Sequence, residues 1–180
     1  MLKSSRVFVR LAPHVIKYTL ASRKPLERYV NGRAIMIGDA AHPMLPIYAQ
    51  GGSTSIEDAA TLETLLSNMQ SKDDLHSRLA LWQAVRLPRN ATSQILSDNQ
   101  LSNPSTKGVE QQIRQFYEGF LPEQMPPGWS KTARDFFLHY DAFQAGQDAL
   151  DWAERDDGFA ELQRTGHLPE GVVLHFGPCD

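Results

Sequence analysis

The sequence predicts an α+β fold that is mostly helical, and three observations carry that prediction. Residues 33–37 (RAIMI) form a short apolar run that stops abruptly at Gly38-Asp39, which suits a buried strand better than a helix. Residues 53–69 place Ile56, Ala59, Ala60, Leu62, Leu65, Leu66 and Met69 at helical spacing. Residues 72–101 form a second helical stretch, with Leu75, Leu79, Trp82 and Val85 on one face. The chain has 180 residues, 41% apolar and 22% charged, which is enough for one domain with a real core.

The remaining elements follow in order. Residues 4–16 mix apolar and basic positions around Pro13 and read as a short helix or a helix plus a turn. Six Lys/Arg precede the first acidic residue, Glu27. Serine there is limited to Ser4 and Ser5, so a basic surface helix is preferred to an organelle presequence. Residues 17–22 alternate as a strand does, and residues 25–32 connect, with Asn31-Gly32 as a turn signal. Pro43 and Pro46 exclude regular structure up to about Gln50. Ser53 or Thr54 caps the next helix, and Glu57, three residues after Thr54, completes a capping box. Pro88 is expected to kink or divide the second helical stretch. Residues 109–120 read as a further helix, 121–130 as a proline-rich loop and 133–158 as one or two helices. Residues 1–165 are expected to form one partial domain, with 166–180 as a loosely held tail.

Charge and composition exclude several classes. Formal net charge is -3 and the pI is near 6.1, which argues against a nucleic-acid binder. The charge is uneven: residues 1–100 hold 12 Lys/Arg and 8 Asp/Glu (net +4), and residues 101–180 hold 6 and 13 (net -7). A single cysteine, Cys179, rules out a disulfide framework and a cysteine-based zinc site. The histidines show no metal-ligand spacing, so no metal site is expected. No apolar run approaches the roughly 20 residues that span a bilayer. No membrane association is expected, and the expected compartment is cytoplasmic and reducing. No Ser/His/Asp nucleophile pattern is visible.

The informative unit is strand, Gly38-Asp39, proline-stiffened loop, Gly51-Gly52, helix. A carboxylate at a strand end, such as Asp39, can accept hydrogen bonds from ligand hydroxyls, and Gly38 permits close approach of backbone and ligand. Gly51 and Gly52 bring a helix N-terminus, with its free N–H donors and partial positive charge, close to whatever lies above it. That end stabilises an anionic group without a charged side chain. A ribityl chain supplies hydroxyls, and a reduced isoalloxazine ring carries negative charge near N1 and O2, so the unit suits a flavin.

These residues resemble a known family pattern: P-L-x-x-W/Y-x-x-G-R, a strand, G-D-A-A/C-H-P-M-x-P, A-Q-G, then I-E-D-A. Here it reads Pro25-Leu26, Tyr29, Gly32-Arg33, Gly38-Asp39-Ala40-Ala41-His42-Pro43-Met44, Pro46, Ala49-Gln50-Gly51 and Ile56-Glu57-Asp58-Ala59. The chain is similar to FAD-dependent monooxygenases of the salicylate-hydroxylase-like, single-component aromatic hydroxylase group. Weaker likeness extends through Arg86-Leu87-Pro88-Arg89 to Tyr140-Asp141-Ala142. The resemblance implies the C-terminal part of an FAD/NAD(P)-binding, Rossmann-like monooxygenase fold. It implies that Asp39, with Gly38, meets the ribityl hydroxyls of FAD, that Pro43 and Pro46 line the flavin ring, and that Gly51 and Gly52 open the helix facing the pyrimidine edge. It also implies NADH or NADPH as co-substrate, O2 as oxidant and a small aromatic-type substrate.

The family's N-terminal G-x-G-x-x-G loop, which holds the FAD pyrophosphate, has no counterpart in this sequence. The chain alone is therefore expected to bind FAD weakly or not at all. A strand at 33–37 without its neighbours predicts marginal stability and self-association, or pairing with a complementary chain. The alternative is a non-catalytic truncated product or interaction module. Among other residues, Glu57 and Asp58 read as helix-start carboxylates with a structural role. Arg86 and Arg89 read as surface or inter-helix partners, and His42 as either a flavin-tuning or a structural residue. Asp148, Asp151, Glu154, Asp156, Asp157 and Glu161 read as a solvated face.

Overall fold

Gly32 takes φ 61° and turns the chain back on itself, as the Asn31-Gly32 pair predicts. The result is a minimal antiparallel hairpin of β1 (Val30–Asn31) and β2 (Ala34–Ile35), with Val30 opposite Ile35 and Asn31 opposite Ala34. In this computed structural model, residues 14, 16–99, 106–116, 131–155, 157–169 and 172 are described. The basic segment before residue 14, the loop 121–130 and most of the tail lie outside them.

Two strand expectations need correction. Residues 17–22 take no regular structure and are exposed. The run 33–37 is not a buried strand: only Ala34–Ile35 pairs, and Met36 and Ile37 remain 39% and 44% exposed. An apolar strand is buried only when neighbours cover both faces, and among the described residues β1 is its sole partner.

The helices build the rest. α1 (Gly51–Leu66) and α2 (Leu75–Asn99) pack together, and α5 (Ala142–Ala153) lies against both. Gly146 allows the α1–α5 approach, since a Cβ there would lie 3.1 Å from Thr64 Cβ. α6 (Gly158–Thr165) follows α5 across a turn that only glycine fits, because a Cβ on Gly158 would lie 2.6 Å from the Trp152 carbonyl oxygen. One core gathers Tyr29, Leu65, Leu79, Trp82, Val85, Ala149 and Leu162. A second gathers Tyr48, Ile95, Ile113, Phe136 and Phe137 where α3 (Thr106–Ile113) and α4 (Lys131–Leu138) flank the far half of α2.

Three helical details differ from expectation. α1 starts at Gly51 behind Gln50, and no side chain caps it. Thr54 and Ser55 instead bond back to the first carbonyls: Thr54 Oγ1 donates to Gln50 O and Gly51 O, and Ser55 Oγ to Gly51 O. Ile56 is 73% exposed, whereas Thr54, Asp58, Thr61 and Leu65 turn inward. The early face of α1 is polar because it meets polar groups on α2. Finally, α2 runs unbroken through Pro88. A proline inside a helix costs about 3 kcal/mol, and here packing on both sides offsets it: Val85, Arg86, Arg89 and Asn90 are all buried.

Candidate functional site

The loop after β2 begins with a 3₁₀ turn, Gly38–Ala40, in which the N–H groups of Ala41 and His42 both donate to Gly38 O at 2.9 Å. Gly38 sits at φ 57°, and a Cβ there would lie 3.0 Å from Ser55 Oγ. Left-handed backbone and close contact with α1 together require glycine. The turn buries Gly38 and leaves Asp39 exposed. Arg23 steadies its far side, donating from Nη2 to the carbonyls of Ala40 and Ala41 at 2.9 and 2.8 Å.

The start of α1 lies beside this turn. A Cβ on Gly51 would be 3.9 Å from Asp39 Oδ1, and one on Gly52 would meet nothing within 4 Å. The first helical hydrogen bond runs from Thr54 N to Gln50 O. The N–H groups of Gly51, Gly52 and Ser53 therefore precede any helical acceptor, with Gly51 half-buried and Gly52 and Ser53 exposed. The fold thus brings together Gly38, Asp39, Gly51 and Gly52. Pro43, half-buried, and Pro46, exposed at the head of the 3₁₀ turn Pro46–Tyr48, occupy the loop between them. An outward carboxylate next to free N–H donors and unfilled space at Gly52 fits a ligand that combines hydroxyls with an electron-rich edge, as a flavin does.

Behind the turn lies a buried polar cluster. Asp58 Oδ2 accepts from Gly38 N at 3.0 Å and pairs with His42 Nε2 at 2.7 Å. Its Oδ1 accepts from Arg86 Nε and Asn90 Nδ2, each at 2.9 Å. Asp58, His42 and Arg86 have no exposed side-chain surface. Glu57 accepts from Arg89 Nε and Nη2 at 2.6 and 2.7 Å and from Arg86 Nη2 at 2.9 Å. The Arg89 guanidinium stacks 3.7 Å from the Tyr140 ring centroid. Burial alone raises a carboxyl pKa. At Asp58 burial is outweighed by the His42 hydrogen bond, the Arg86 charge and the Asn90 amide, which together hold it down to about 2. Glu57 is likewise held low despite burial, by its hydrogen bonds and charge pairing with Arg89 and Arg86. Burial and the Asp58 charge both push the Tyr29 hydroxyl up.

The sign of the Asp58 shift gives a testable result. A carboxyl depressed on folding stabilises the folded state above its unfolded pKa, and that stability is lost as pH falls toward the folded value. From 3.8 to about 2, the contribution is about 2 kcal/mol at neutral pH. Urea denaturation from pH 6 to pH 2 is expected to show stability declining below about pH 4. In Asp58→Asn this part of the decline should be missing.

Several residues fall where the sequence places them, but for other reasons. Arg86 and Arg89 are inter-helix partners, and fully buried ones. Glu57 and Asp58 are structural, yet their role is to join α1 to α2 and to the Gly38 turn rather than to complement the helix start. His42 is a buried structural partner of Asp58. Of the acidic face, Asp151, Glu154, Asp157 and Glu161 are exposed, Asp148 is half-buried and Asp156 lies outside the described residues. The residues that sequence reasoning missed lie along α2. Gln83 Oε1 accepts from the N–H groups of Tyr29 and Val30, Gln94 Nε2 donates to Arg23 O, and Ser97 Oγ donates to Leu45 O. With Arg86 and Asn90 they form one stripe that holds the whole loop. An open cavity of about 390 Å³, lined by Ile56, Glu57, Ala60 and residues 138–143, lies away from the Gly38 turn. Among the described residues no group of three or more His, Cys, Asp or Glu is placed to hold a metal ion, and no helix is long and apolar enough to cross a membrane.

Residues 9–94 match the family model described as an FAD binding domain. The sequence is similar to FAD-dependent monooxygenases, a 3-hydroxybenzoate 6-hydroxylase among them. It is 32% identical over 146 residues to FAD-dependent monooxygenase cfoG of Aspergillus candidus, covering 81% of this chain and 31% of that protein. It is 38% identical over 114 residues to FAD-dependent monooxygenase phomE of Diaporthe leptostromiformis, covering 63% and 29%. It is 36% identical over 99 residues to 3-hydroxybenzoate 6-hydroxylase of Klebsiella oxytoca, covering 54% and 24%. The crystal structure of FqzB shares the fold with a TM-score of 0.59 at 24% identity, covering 87% of this chain and 34% of that one. The chain thus spans about a third or less of the length of these relatives. The mostly helical architecture with a small sheet is that of part of an FAD-binding fold.

Proposed function

We propose that this chain supplies the riboflavin-side half of an FAD site in an NAD(P)H- and O2-dependent monooxygenase acting on an aromatic-type small molecule. The observation that carries this reading is the pairing of exposed Asp39 with the open N-terminus of α1 across Gly51. In it Asp39 accepts from ribityl hydroxyls and Gly38 keeps the backbone out of their way. The N–H groups at Gly51 and Gly52 face the pyrimidine edge, and Pro43 and Pro46 stiffen the loop along the ring. Bound FAD would supply the oxygen chemistry, and the chain's own residues orient and tune it. The names of the relatives support this reading: one is a 3-hydroxybenzoate 6-hydroxylase. Residues 1–165 form the flavin-side unit, 166–180 its tail, and the setting is the cytoplasm.

The pyrophosphate loop of such sites has no match in this sequence, so the isolated chain is expected to lose FAD on purification and to bind it only at millimolar concentration. The purified chain is expected to be colourless and to show no NAD(P)H-dependent oxygen uptake. A decisive chimera places this chain's matching segment in 3-hydroxybenzoate 6-hydroxylase, where 99 residues align. The chimera should retain FAD and lose it on Asp39→Ala. A folded chimera that never holds FAD, or an Asp39→Ala variant that holds it as before, refutes the proposal.

A further inference from the structure

We propose that Asp58 is a positioning residue for the flavin site, acting through Gly38 and His42 on the exposed carboxylate of Asp39. This rests on the flavin reading above. Asp58 never reaches the open surface, since its side chain is fully buried. What it does is fix the one backbone group from which the Gly38–Ala40 turn springs. A left-handed residue is easily lost to other conformations, glycine most of all, because glycine has the widest choice. Here the Gly38 N–H is tied to Asp58 Oδ2 at 3.0 Å, and the Gly38 carbonyl is tied to the N–H groups of Ala41 and His42 at 2.9 Å. His42 then returns to the same Oδ2 at 2.7 Å. The turn and its exit are closed onto a single oxygen, and that ring encloses Asp39, Ala40 and Ala41, of which Asp39 alone carries a functional side chain.

The other oxygen makes the arrangement directional. Asp58 Oδ1 is held by Arg86 and Asn90, one helical turn apart on α2. Trp82 Nε1 donates to the Asp58 backbone carbonyl at 3.0 Å, which fixes the α1 backbone at the same level. Both oxygens are thus fully engaged by four donors, and all four arrive from fixed elements. An asparagine cannot replace the aspartate here. Its amide nitrogen faces donors on whichever side it turns to, so either the Gly38 side or the α2 side is lost. The Gly38 side has the weaker backing, because α2 remains anchored through Glu57 to Arg86 and Arg89. The cost of losing Asp58's carboxylate therefore falls on the direction of Asp39.

Amide NMR of the 180-residue chain tests this with free FAD as the probe. In the wild type the Gly38 amide should exchange slowly, and millimolar FAD should shift the Gly38, Asp39, Gly51 and Gly52 amides. In Asp58→Asn, Gly38 exchange should accelerate at least about tenfold, the effect of losing one hydrogen bond to a charged acceptor on local opening. The amides of Leu65 and Leu81, whose protection follows global stability, should lose much less protection than Gly38, and the FAD-induced shifts should vanish. His42→Gln, which keeps a donor but removes the imidazole, should give a smaller loss in the same residues and serves if Asp58→Asn does not fold. Unchanged Gly38 exchange, or protection lost equally at Leu65 and Leu81, overturns the positioning role and makes Asp58 a stability residue alone. A wild-type chain whose four amides ignore millimolar FAD overturns the flavin reading, and the positioning role with it, even where Gly38 exchange responds to Asp58→Asn.

Discussion

Arg86→Leu is expected to cost about 3–5 kcal/mol of folding stability, the range for removing one member of a buried ion pair. Urea denaturation followed by far-UV circular dichroism measures it. Arg86 has no exposed surface and serves four acceptors: Asp58 Oδ1, the Thr54 carbonyl, Glu57 Oε2 and Asn90 Oδ1. Leucine fills part of the volume and satisfies none of them. Glu57 keeps its paired bonds from Arg89, so the deficit concentrates on Asp58, which is left buried without its guanidinium. Arg86→Lys should recover little of the loss, because an ammonium is a point donor and cannot span acceptors on two turns of α1 and one on α2. Small domains have about 5–15 kcal/mol in total, so the variant should lie near its unfolding threshold at room temperature. Stability within about 1 kcal/mol of wild type would show that the cluster is not a structural centre.

This cluster marks where sequence reasoning stops. The flavin-side unit is readable because its constraints are local: a glycine that must be left-handed, prolines that stiffen, a glycine pair at a helix start. The apolar face of α2 is readable too, since Leu79, Trp82 and Val85 recur at helical spacing and are buried. The second face is hidden because it is polar. Gln83, Arg86, Asn90, Gln94 and Ser97 recur at spacings of three and four, the same period as a core stripe, and an apolar search passes over them. From Arg89 to Ser97 every residue is buried, although Ala91, Ile95 and Leu96 alone are apolar. One signal was available. α2 contains no lysine or glutamate in 25 residues, and its only acid is Asp98. A surface helix of that length normally carries several of these. The 33–37 strand misled for the opposite reason: its apolar character is intrinsic, but burial depends on neighbours that the described residues do not include.

Those uncovered residues give the second large expected effect. Ile16, Tyr18 and Leu20 are 69%, 77% and 58% exposed, and Met36 and Ile37 stand out beyond the end of β2. Only β1 pairs with β2 among the described residues, so the other edge of β2 presents free N–H and C=O groups beside apolar side chains. That combination templates pairing with a second copy, and each fully covered apolar side chain adds about 1.5–3 kcal/mol. The 180-residue chain is therefore expected to run larger than its 20.2 kDa monomer mass in light scattering after size exclusion, increasingly so with concentration. Met36→Lys with Ile37→Thr should shift it toward monomer. Because both side chains are already solvent-facing, urea stability of the monomer should change by no more than about 0.5 kcal/mol. A substitution at the edge changes association and spares stability, whereas Arg86→Leu in the buried cluster lowers stability and leaves the edge residues as they are. A wild-type chain that stays monomeric at high concentration and unfolds sharply and reversibly would mean that the edge is covered by the chain's own residues.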